Sequence, residues 1–263
     1  MTASAPVGFD ALVAHASANP KSVGVFSDLD GTLSRLVARP EDARPVEGGV
    51  DAMTTLAGLT GRAAIVSGRP VSFLNQFFSA PVELSGLYGI EHRIGEQFSV
   101  FPEAERWLPV IAEVASVAAD RFGAAATENK GYSLTVHYRN AGRETASAIE
   151  SWSQEMASLH GLHVGAAKMS FELHPPLSRD KGDAIFDMLE GLSAAVYFGD
   201  DLGDRSGFER LRKAQADGTL DVAATVLVRG SETPAELLDV ATDVISTPEE
   251  TVDMLNRLIT ASK

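Results

Sequence analysis

The chain of 263 residues contains no cysteine, and no uncharged apolar run in it approaches the length of a membrane span. The absence of cysteine excludes a disulfide framework, a thiol nucleophile and a thiolate metal site. A helix that crosses a membrane needs about 18 or more consecutive apolar residues, so we predict no membrane partner. Residues 1–20 lack a basic stretch followed by an apolar one, so we expect no secretion signal there and a cytoplasmic protein.

Basic side chains are also few. Lysine and arginine number 22, and aspartate and glutamate number 36, which gives a formal net charge of −14. A protein that binds nucleic acid through its phosphates needs a basic surface, so this charge excludes such a partner. The composition of 44% hydrophobic and 22% charged residues is typical of a folded globular protein with one large domain or two smaller ones. The sequence does not determine the oligomeric state, and we expect a monomer.

Short apolar segments of strand length alternate with amphipathic helical patterns toward both ends of the chain. This order predicts the α/β class, with a Rossmann-like parallel sheet covered by helices on both faces. The last helix has a clear start, because residues 247–250 form a capping box with proline at the first helical position. Residues 233–236 carry the same start signal. The predicted strands are 23–27, 63–66, 82–88, 194–198, 223–228 and 243–245.

The middle of the chain has a different pattern. Residues 132–138 and 168–174 alternate strictly between apolar and polar side chains, and a shorter alternation covers 162–166. Strict alternation is typical of a sheet with one face covered and the other open to water. Apolar residues recur at helical spacing over 103–122 and 149–159. We therefore predict a smaller α+β domain with the order α-β-β-α-β-β in residues 104–176, and a core domain formed by residues 1–103 and 177–263.

Two groups of carboxylates follow predicted buried strands. Asp28 and Asp30 come directly after the first strand, and Asp200, Asp201 and Asp204 follow the strand at 194–198. Ligands of open α/β sheets bind beyond the carboxyl ends of the strands. If the two groups meet, a hard divalent cation is needed to offset their repulsion, and Mg²⁺ suits few protein oxygens together with phosphate and water. The alternative is two separate, solvated acidic turns.

Two further segments suit a phosphate group. Ser67-Gly68-Arg69 follows the strand at 63–66 and offers a hydroxyl and a backbone N–H. Lys181 opens a predicted helix, where its positive charge opposes the helix dipole. A bound anion would offset that conflict. Taken singly, each of these turns is more often structural than functional.

In this order, the four segments resemble the signature of the haloacid dehalogenase superfamily of phosphohydrolases. The signature consists of Asp-x-Asp-Gly-Thr at 28–32, a serine at 67, a lysine at 181 and Gly-Asp-Asp-x-x-Asp at 199–204. The long interval between the serine and the lysine is where this superfamily places a C2-type cap domain, which fits residues 104–176. More narrowly, the chain is similar to trehalose-6-phosphate phosphatases. The segments that carry this narrower resemblance are 67–69, 86–91, 128–131, 137–139, 171–176 and 180–182.

The resemblance implies a Mg²⁺-dependent phosphatase that forms an aspartyl-phosphate. Asp28 would be the nucleophile, and Asp30 would protonate the leaving sugar oxygen and later activate water. Mg²⁺ would be held by Asp28, the backbone carbonyl of Asp30, and Asp200. Asp201 and Asp204 would orient the surroundings of the metal and the catalytic lysine.

The resemblance also implies which residues bind the substrate. Ser67 and Lys181 would bind the phosphoryl oxygens during catalysis. Glu172 lies on the polar side of its predicted strand, as contact with a sugar requires. The complete implied set of substrate-binding residues is Ser67, Gly68, Arg69, Glu128, Lys130 and Glu172.

The substrate implied is trehalose 6-phosphate, a small sugar phosphate. The segments 33–35 and 202–203 depart from the pattern of the family, so the substrate is less determined than the reaction. Two alternatives stay open. The first is a phosphatase for sucrose phosphate or a glycosyl-phosphoglycerate, and the second is a phosphosugar-binding regulator without turnover. The intact set of Asp28, Asp30, Lys181 and Asp200 argues against the regulator, which has no need for the acid Asp30.

Overall fold

The computed structural model describes residues 7–37, 39–138, 142–167, 169–230 and 233–263, without the side chains at 143 and 167. Arg139 and Lys168, which belong to segments singled out above, lie outside the described residues. The chain forms two compact units. The larger one comprises Met1–Ser99 and Arg179–Lys263, and the smaller one comprises Val100–Ser178. The role of the smaller unit as a substrate-binding cap stays a prediction.

An eight-stranded sheet forms the centre of the larger unit, in the order β12-β11-β10-β1-β2-β3-β4-β5. The five pairings from β12 to β3 are parallel, which confirms the predicted α/β class. β4 pairs with β3 in the antiparallel sense. This extension was not predicted, because its residues are largely polar and form no apolar run. The strands are β1 (Val23–Ser27), β2 (Arg62–Val66), β3 (Glu83–Gly86), β4 (Glu91–Ile94), β5 (Gln97–Val100), β10 (Ala194–Gly199), β11 (Val222–Val228) and β12 (Asp243–Ile245).

Helices cover both faces of this sheet, and successive strand residues face opposite cores. Val25 packs in one core with side chains of the helices α1, α2 and α8, and Phe26 packs in the other with side chains of α6 and α7. Full burial of a side chain of this size stabilises the fold by about 1.5–3 kcal/mol. The helices are α1 (Phe9–Ala18), α2 (Gly49–Leu59), α3 (Val71–Leu74), α6 (Lys181–Asp187), α7 (Arg205–Ala216) and α8 (Pro248–Ala261).

The two predicted helix starts near the C-terminus have different outcomes. At α8 the Thr247 hydroxyl accepts from the Glu250 N–H at 3.2 Å, which confirms Thr247 as the N-cap. The Glu250 carboxylate accepts from the Ser246 N–H at 2.9 Å and not from the Thr247 N–H, so the reciprocal bond of the predicted capping box is displaced by one residue. The start at 233–236 is wrong as a helix signal, since only a 3₁₀ turn at Ala235–Leu237 follows. There the Thr233 hydroxyl accepts from the preceding Gly230 N–H instead, and the chain soon enters β12.

The smaller unit has the predicted order α-β-β-α-β-β. Its helices pack their apolar side chains, including Ile111, Val114 and Trp152, against Leu134 and Leu173 of the sheet. The helix predicted from residue 103 begins later, because Pro102–Trp107 forms a 3₁₀ segment. The sheet order is β6-β7-β9-β8, with antiparallel pairing throughout. The elements are α4 (Leu108–Phe122), β6 (Thr127–Asn129), β7 (Leu134–His137), α5 (Arg143–His160), β8 (His163–Ala167) and β9 (Ser170–His174).

The polar face of this smaller sheet is less open to water than the alternation predicts. Ser133, Thr135 and Ser170 are all buried, so the prediction of an open face is wrong for these short side chains. The register pairs Thr135 with Glu128 on one side and Glu172 on the other. The shorter threonine side chain therefore lies between two longer glutamates in the same row.

Among the described residues, no helix combines the length and the apolar character needed to cross a lipid bilayer.

Candidate active site

The two groups of carboxylates meet at the carboxyl ends of adjacent parallel strands. β1 and β10 are paired so that Ser27 lies beside Phe198, and the Asp28 N–H donates to the Phe198 carbonyl at 2.9 Å. One carboxylate oxygen from each of Asp28, Asp200 and Asp204 lies within 4.8 Å of the others. The arrangement is therefore one cluster and not two separate solvated turns.

Lys181 supplies a positive charge inside this cluster. Its ammonium lies 3.2 Å from Asp28 Oδ2 and 2.6 Å from Asp204 Oδ1, and its side chain is 3% exposed. The lysine is the first residue of α6, which is capped by the Asp180 carboxylate accepting from the Asp183 N–H at 2.9 Å. Burial by itself lowers the pKa of Lys181, but Asp204 and Asp28 outweigh it and raise the pKa well above its usual value. The two carboxylates therefore favour the charged form of Lys181.

Asp204 is fully engaged by donors of the protein. Its Oδ1 accepts from the Lys181 ammonium at 2.6 Å and from the Tyr197 hydroxyl. Its Oδ2 accepts from the N–H groups of Asp200 at 2.8 Å and Asp201 at 3.1 Å. Such a carboxylate orients its neighbours. The sequence did not indicate Tyr197, because this residue lies within an apolar strand and has the pattern of an ordinary core residue.

The electrostatics of the cluster leave negative charge uncompensated. Asp28 Oδ1 is buried and has no hydrogen-bond partner among the described residues. Burial raises the pKa of Asp28 well above its usual value although Lys181 acts to lower it. Burial, followed by repulsion from Asp28 and Asp204, raises the pKa of Asp200 to about 9. Four carboxylates, counting Asp201, thus surround one ammonium.

These residues fit a divalent cation. An unpartnered buried oxygen on Asp28 and the half-buried carboxylate of Asp200 offer the hard oxygen ligands that such ions bind. A cation there would also offset the burial and the mutual repulsion of these carboxylates, which together raise both pKa values. Asp30 does not contribute its carboxylate to the cluster of three, which is compatible with the predicted use of its backbone carbonyl.

The turn after Asp30 needs glycine because of how closely the two motifs approach. Gly31 has a φ of +83°, a conformation that glycine adopts without strain. A Cβ at this position would collide with the Asp200 carboxylate. The next residue, Thr32, donates its hydroxyl to Asp200 Oδ1 at 3.2 Å. Thr32 was not singled out, although its place in the Asp-x-Asp-Gly-Thr motif could have indicated this contact.

Arg69, which the resemblance assigns to the substrate, pairs here with Asp30. The guanidinium makes two hydrogen bonds to this carboxylate, at 2.7 and 2.9 Å, which is the strong bidentate arrangement. It also lies over the Phe73 ring, 4.6 Å from the ring centroid. The predicted acid and the predicted substrate ligand therefore contact each other directly.

The Ser67–Arg69 turn is held by the connection after β3. The Leu87 and Tyr88 N–H groups donate to the carbonyls of Arg69 and Ser67, at 3.0 and 3.2 Å. Both donors have positive φ values, 49° and 58°, which are strained for residues other than glycine and are typical of functional sites. A Cβ on Gly68 would lie 2.9 Å from the Tyr88 ring. The turn is thus built tightly, and a side chain at Gly68 would disturb it.

The predicted sugar-binding residues share the polar face of the sheet in the smaller unit. The Lys130 ammonium lies 3.2 Å from Glu172 Oε1, and His137 Nε2 lies 3.0 Å from Glu128 Oε2. Ser133, which was not singled out, donates its hydroxyl to Glu172 at 2.7 Å. Each glutamate therefore has a nearby basic partner within its own unit.

Comparison with known proteins gives one family and a consistent fold. The model of the trehalose-phosphatase family matches residues 26–241. The trehalose-phosphate phosphatase of Mycobacterium avium (strain 104) is 31% identical over 206 residues, which cover 74% of this chain and 52% of that protein. The matched region spans about half the length of this relative and of that of Mycolicibacterium paratuberculosis.

Two solved structures are also similar. A trehalose-6-phosphate phosphatase related protein has a TM-score of 0.75 at 22% identity, covering 90% of this chain and 97% of that one. The C-terminal domain of the trehalose-6-phosphate phosphatase of C. albicans has a TM-score of 0.73 at 20% identity, covering 99% of each chain. At these identities the likenesses establish the fold.

Proposed function

This chain belongs to the trehalose-phosphatase family, and we propose that it hydrolyses trehalose 6-phosphate to trehalose and inorganic phosphate with Mg²⁺ as cofactor. The observation that carries the proposal is the convergence of Asp28, Asp200 and Asp204 around Lys181 at the carboxyl ends of parallel strands. This is the arrangement of charges that transfer of a phosphoryl group to a carboxylate requires.

In the proposed reaction, an Asp28 carboxylate oxygen attacks the phosphorus. The bond between phosphorus and the sugar oxygen breaks, and Asp30 gives that oxygen a proton. Water then attacks the resulting aspartyl-phosphate and loses a proton to Asp30, which releases phosphate and restores Asp28. The support for Asp28 as nucleophile is that its Oδ2 lies 3.2 Å from the Lys181 ammonium, while the unpartnered Oδ1 is left for the cation.

Asp28 and Asp200, with the backbone carbonyl of Asp30, are the groups proposed to hold Mg²⁺. When bound, the ion would screen the charge of Asp28 from the charge of the phosphoryl group. Asp204 would position Lys181 through the 2.6 Å contact between them. Asp201 would stabilise the same loop, because its Oδ1 accepts from the Gly203 N–H at 2.8 Å.

Donors for the phosphoryl oxygens would come from side chains and backbone. Lys181 supplies positive charge. The Ser67 hydroxyl oxygen accepts from the Arg69 N–H at 3.2 Å, so the hydroxyl proton of Ser67 is still available for donation to the phosphoryl group. Within the described part of the chain, the N–H groups of Leu29, Asp30 and Gly68 donate to no recorded acceptor. Fixed donors of this kind stabilise transferring charge without reorganisation.

The pair between Arg69 and Asp30 imposes a condition on this reaction. While the guanidinium holds both oxygens of Asp30, the carboxyl cannot deliver a proton to the sugar oxygen. A phosphoryl group offers Arg69 an equivalent bidentate partner. We therefore expect substrate binding to draw Arg69 from Asp30 to the phosphate. Arg69 would then bind the phosphoryl group, and Asp30 would be released to act as the acid.

Recognition of the sugar is assigned to Glu128, Lys130 and Glu172 of the smaller unit. Charged groups form strong hydrogen bonds with hydroxyls, and a disaccharide presents many hydroxyls. The support is that Glu128 and Glu172 lie in register on either side of Thr135, and that the Lys130 ammonium lies 3.2 Å from Glu172 Oε1. The cytoplasmic location and the monomeric state expected from the sequence stay predictions.

The test is release of inorganic phosphate from a panel of substrates. The panel comprises trehalose 6-phosphate, sucrose phosphate, a glycosyl-phosphoglycerate and p-nitrophenyl phosphate. We expect kcat/KM for trehalose 6-phosphate to exceed that for the other sugar phosphates by roughly 10-fold or more, since a site built to bond particular hydroxyls rejects analogues that lack them. Equal values across the panel would contradict the proposed substrate, and absence of turnover with measurable binding would favour a regulator.

A further inference from the structure

One row of side chains crosses the sheet of the smaller unit on its polar face. The register places Glu128, Thr135, Glu172 and Gly165 side by side on β6, β7, β9 and β8. At the Gly165 end the row is open, because a Cβ there would meet nothing closer than His174 Nε2 at 4.0 Å. Glu172 therefore stands between a buried threonine and an open space.

Ser133 lies just before β7 and fixes Glu172 from one side. Its side chain is buried, and its hydroxyl donates to Glu172 Oε1 at 2.7 Å. The Ser133 carbonyl accepts from the Lys130 N–H at 2.9 Å. The Lys130 ammonium in turn lies 3.2 Å from the same Oε1. Ser133 thus holds the carboxylate directly and also fixes the backbone that carries its second partner.

The consequence concerns the other carboxylate oxygen. Both hydrogen bonds go to Oε1, and within the described ranges no hydrogen bond to Glu172 Oε2 is recorded. Because a carboxylate is planar, two donors on one oxygen set the direction in which the second oxygen accepts. The Glu172 side chain is only 15% exposed, so this direction is well defined. Lys130 by itself fixes the orientation of the Glu172 carboxylate poorly, since an ammonium is a point charge on a flexible stem.

We propose that Ser133 is a positioning residue, which reserves Glu172 Oε2 as an acceptor for hydroxyls of the substrate. This inference rests on the proposed function as a sugar phosphatase. Without the hydroxyl, Glu172 is free to turn and offer both oxygens to Lys130, and the acceptor for the sugar is lost. Ser133 acts through Glu172 and takes no part in the transfer of the phosphoryl group.

The experiment is a double-mutant cycle on the whole chain. kcat and KM are measured for the best sugar phosphate of the panel and for p-nitrophenyl phosphate, using wild type, Ser133→Ala, Glu172→Ala and the double variant. We expect Ser133→Ala to raise KM for the sugar phosphate by roughly 10-fold, the effect of losing one hydrogen bond to a charged group. Its kcat with p-nitrophenyl phosphate should stay at the wild-type value. In the Glu172→Ala background the serine change should have no further effect.

Thr135→Val is the matched control. Thr135 is buried on the same face, and its hydroxyl has no hydrogen-bond partner among the described residues, so the change should leave both substrates unaffected. A circular dichroism spectrum like that of the wild type shows that each variant is folded.

Equal losses by Ser133→Ala on both substrates, or losses that add to those of Glu172→Ala, would overturn the positioning role while leaving the proposed function intact. A wild type that treats every sugar phosphate like p-nitrophenyl phosphate would instead overturn the proposed function, and the positioning role with it.

Discussion

The carboxylates at the strand ends of the larger unit crowd against one another, whereas those on the polar face of the smaller unit have basic partners of their own. In the larger unit Asp28, Asp200 and Asp204 form one cluster, in which Asp28 and Asp204 share the Lys181 ammonium. In the smaller unit one glutamate has a histidine partner, and the other has a lysine and a serine. The same chemical group is therefore placed in two different electrostatic settings.

This difference matches the two tasks that we propose. A cluster with excess negative charge attracts a divalent cation, and the ion then makes the site fit for an anionic phosphoryl group. Carboxylates that each have a basic side chain beside them attract such an ion less strongly and are suited to neutral hydroxyls. The comparison makes four predictions, in which changes to one unit should leave the function of the other intact.

The largest effect is expected from Asp28→Asn in the larger unit. The amide cannot attack phosphorus, so release of phosphate should fall by roughly 10³-fold or more with both trehalose 6-phosphate and p-nitrophenyl phosphate. The measurement is inorganic phosphate over time. Binding of trehalose 6-phosphate, followed by calorimetry, should persist, because the smaller unit is unchanged. More than a tenth of wild-type turnover would show that another group is the nucleophile.

Glu172→Ala in the smaller unit should separate the two substrates. We expect kcat/KM for the disaccharide phosphate to fall by roughly 10- to 100-fold, since a charged hydrogen-bond partner of the sugar is lost. The value for p-nitrophenyl phosphate should change little, because this substrate has no sugar hydroxyls. Losses of similar size on both would mean that the smaller unit does not recognise the sugar.

Removal of the metal should affect only the larger unit. EDTA should stop turnover, and added Mg²⁺ should restore it. An excess of Mg²⁺ about 100-fold over its Kd should also raise the melting temperature by roughly 5–10 °C. Asp200→Asn should lose most of this shift, whereas the matched change Glu172→Gln in the smaller unit should keep it. Full activity in EDTA, or equal loss of the shift in both variants, would contradict the assigned metal site.

The smallest effects are expected on the free energy of unfolding, when either of two buried hydroxyl groups is removed. Tyr197→Phe removes a donor to Asp204 and should lower the free energy of unfolding by about 1–2 kcal/mol. Thr135→Val removes a hydroxyl without a partner among the described residues and should change it by less than about 0.5 kcal/mol. Denaturation in urea measures both. A larger cost for Thr135→Val would reveal a partner for that hydroxyl.

Much of the fold was predictable because its signals are local. Each of the six predicted strands is present, and α8 begins after the N-cap Thr247. The match to the family model confirms the resemblance drawn from the motifs. The β4–β5 extension and the 3₁₀ turn at Ala235–Leu237 escaped prediction, since their residues carry no decisive periodicity and their conformation depends on neighbours distant in sequence.

The candidate site likewise contains residues that local sequence motifs predict and contacts that only the tertiary structure reveals. The motifs determined by themselves which carboxylates and which serine turn follow the ends of buried strands and which lysine opens a helix. Strand periodicity, helix starts and turn residues can all be recognised along the chain. Only the tertiary structure decided that Arg69 pairs with Asp30, that Tyr197 and Thr32 contact the cluster, and that Ser133 holds Glu172. Those contacts join residues from separate strands and loops, and the packing of the sheets, not any local pattern, sets the distances between them.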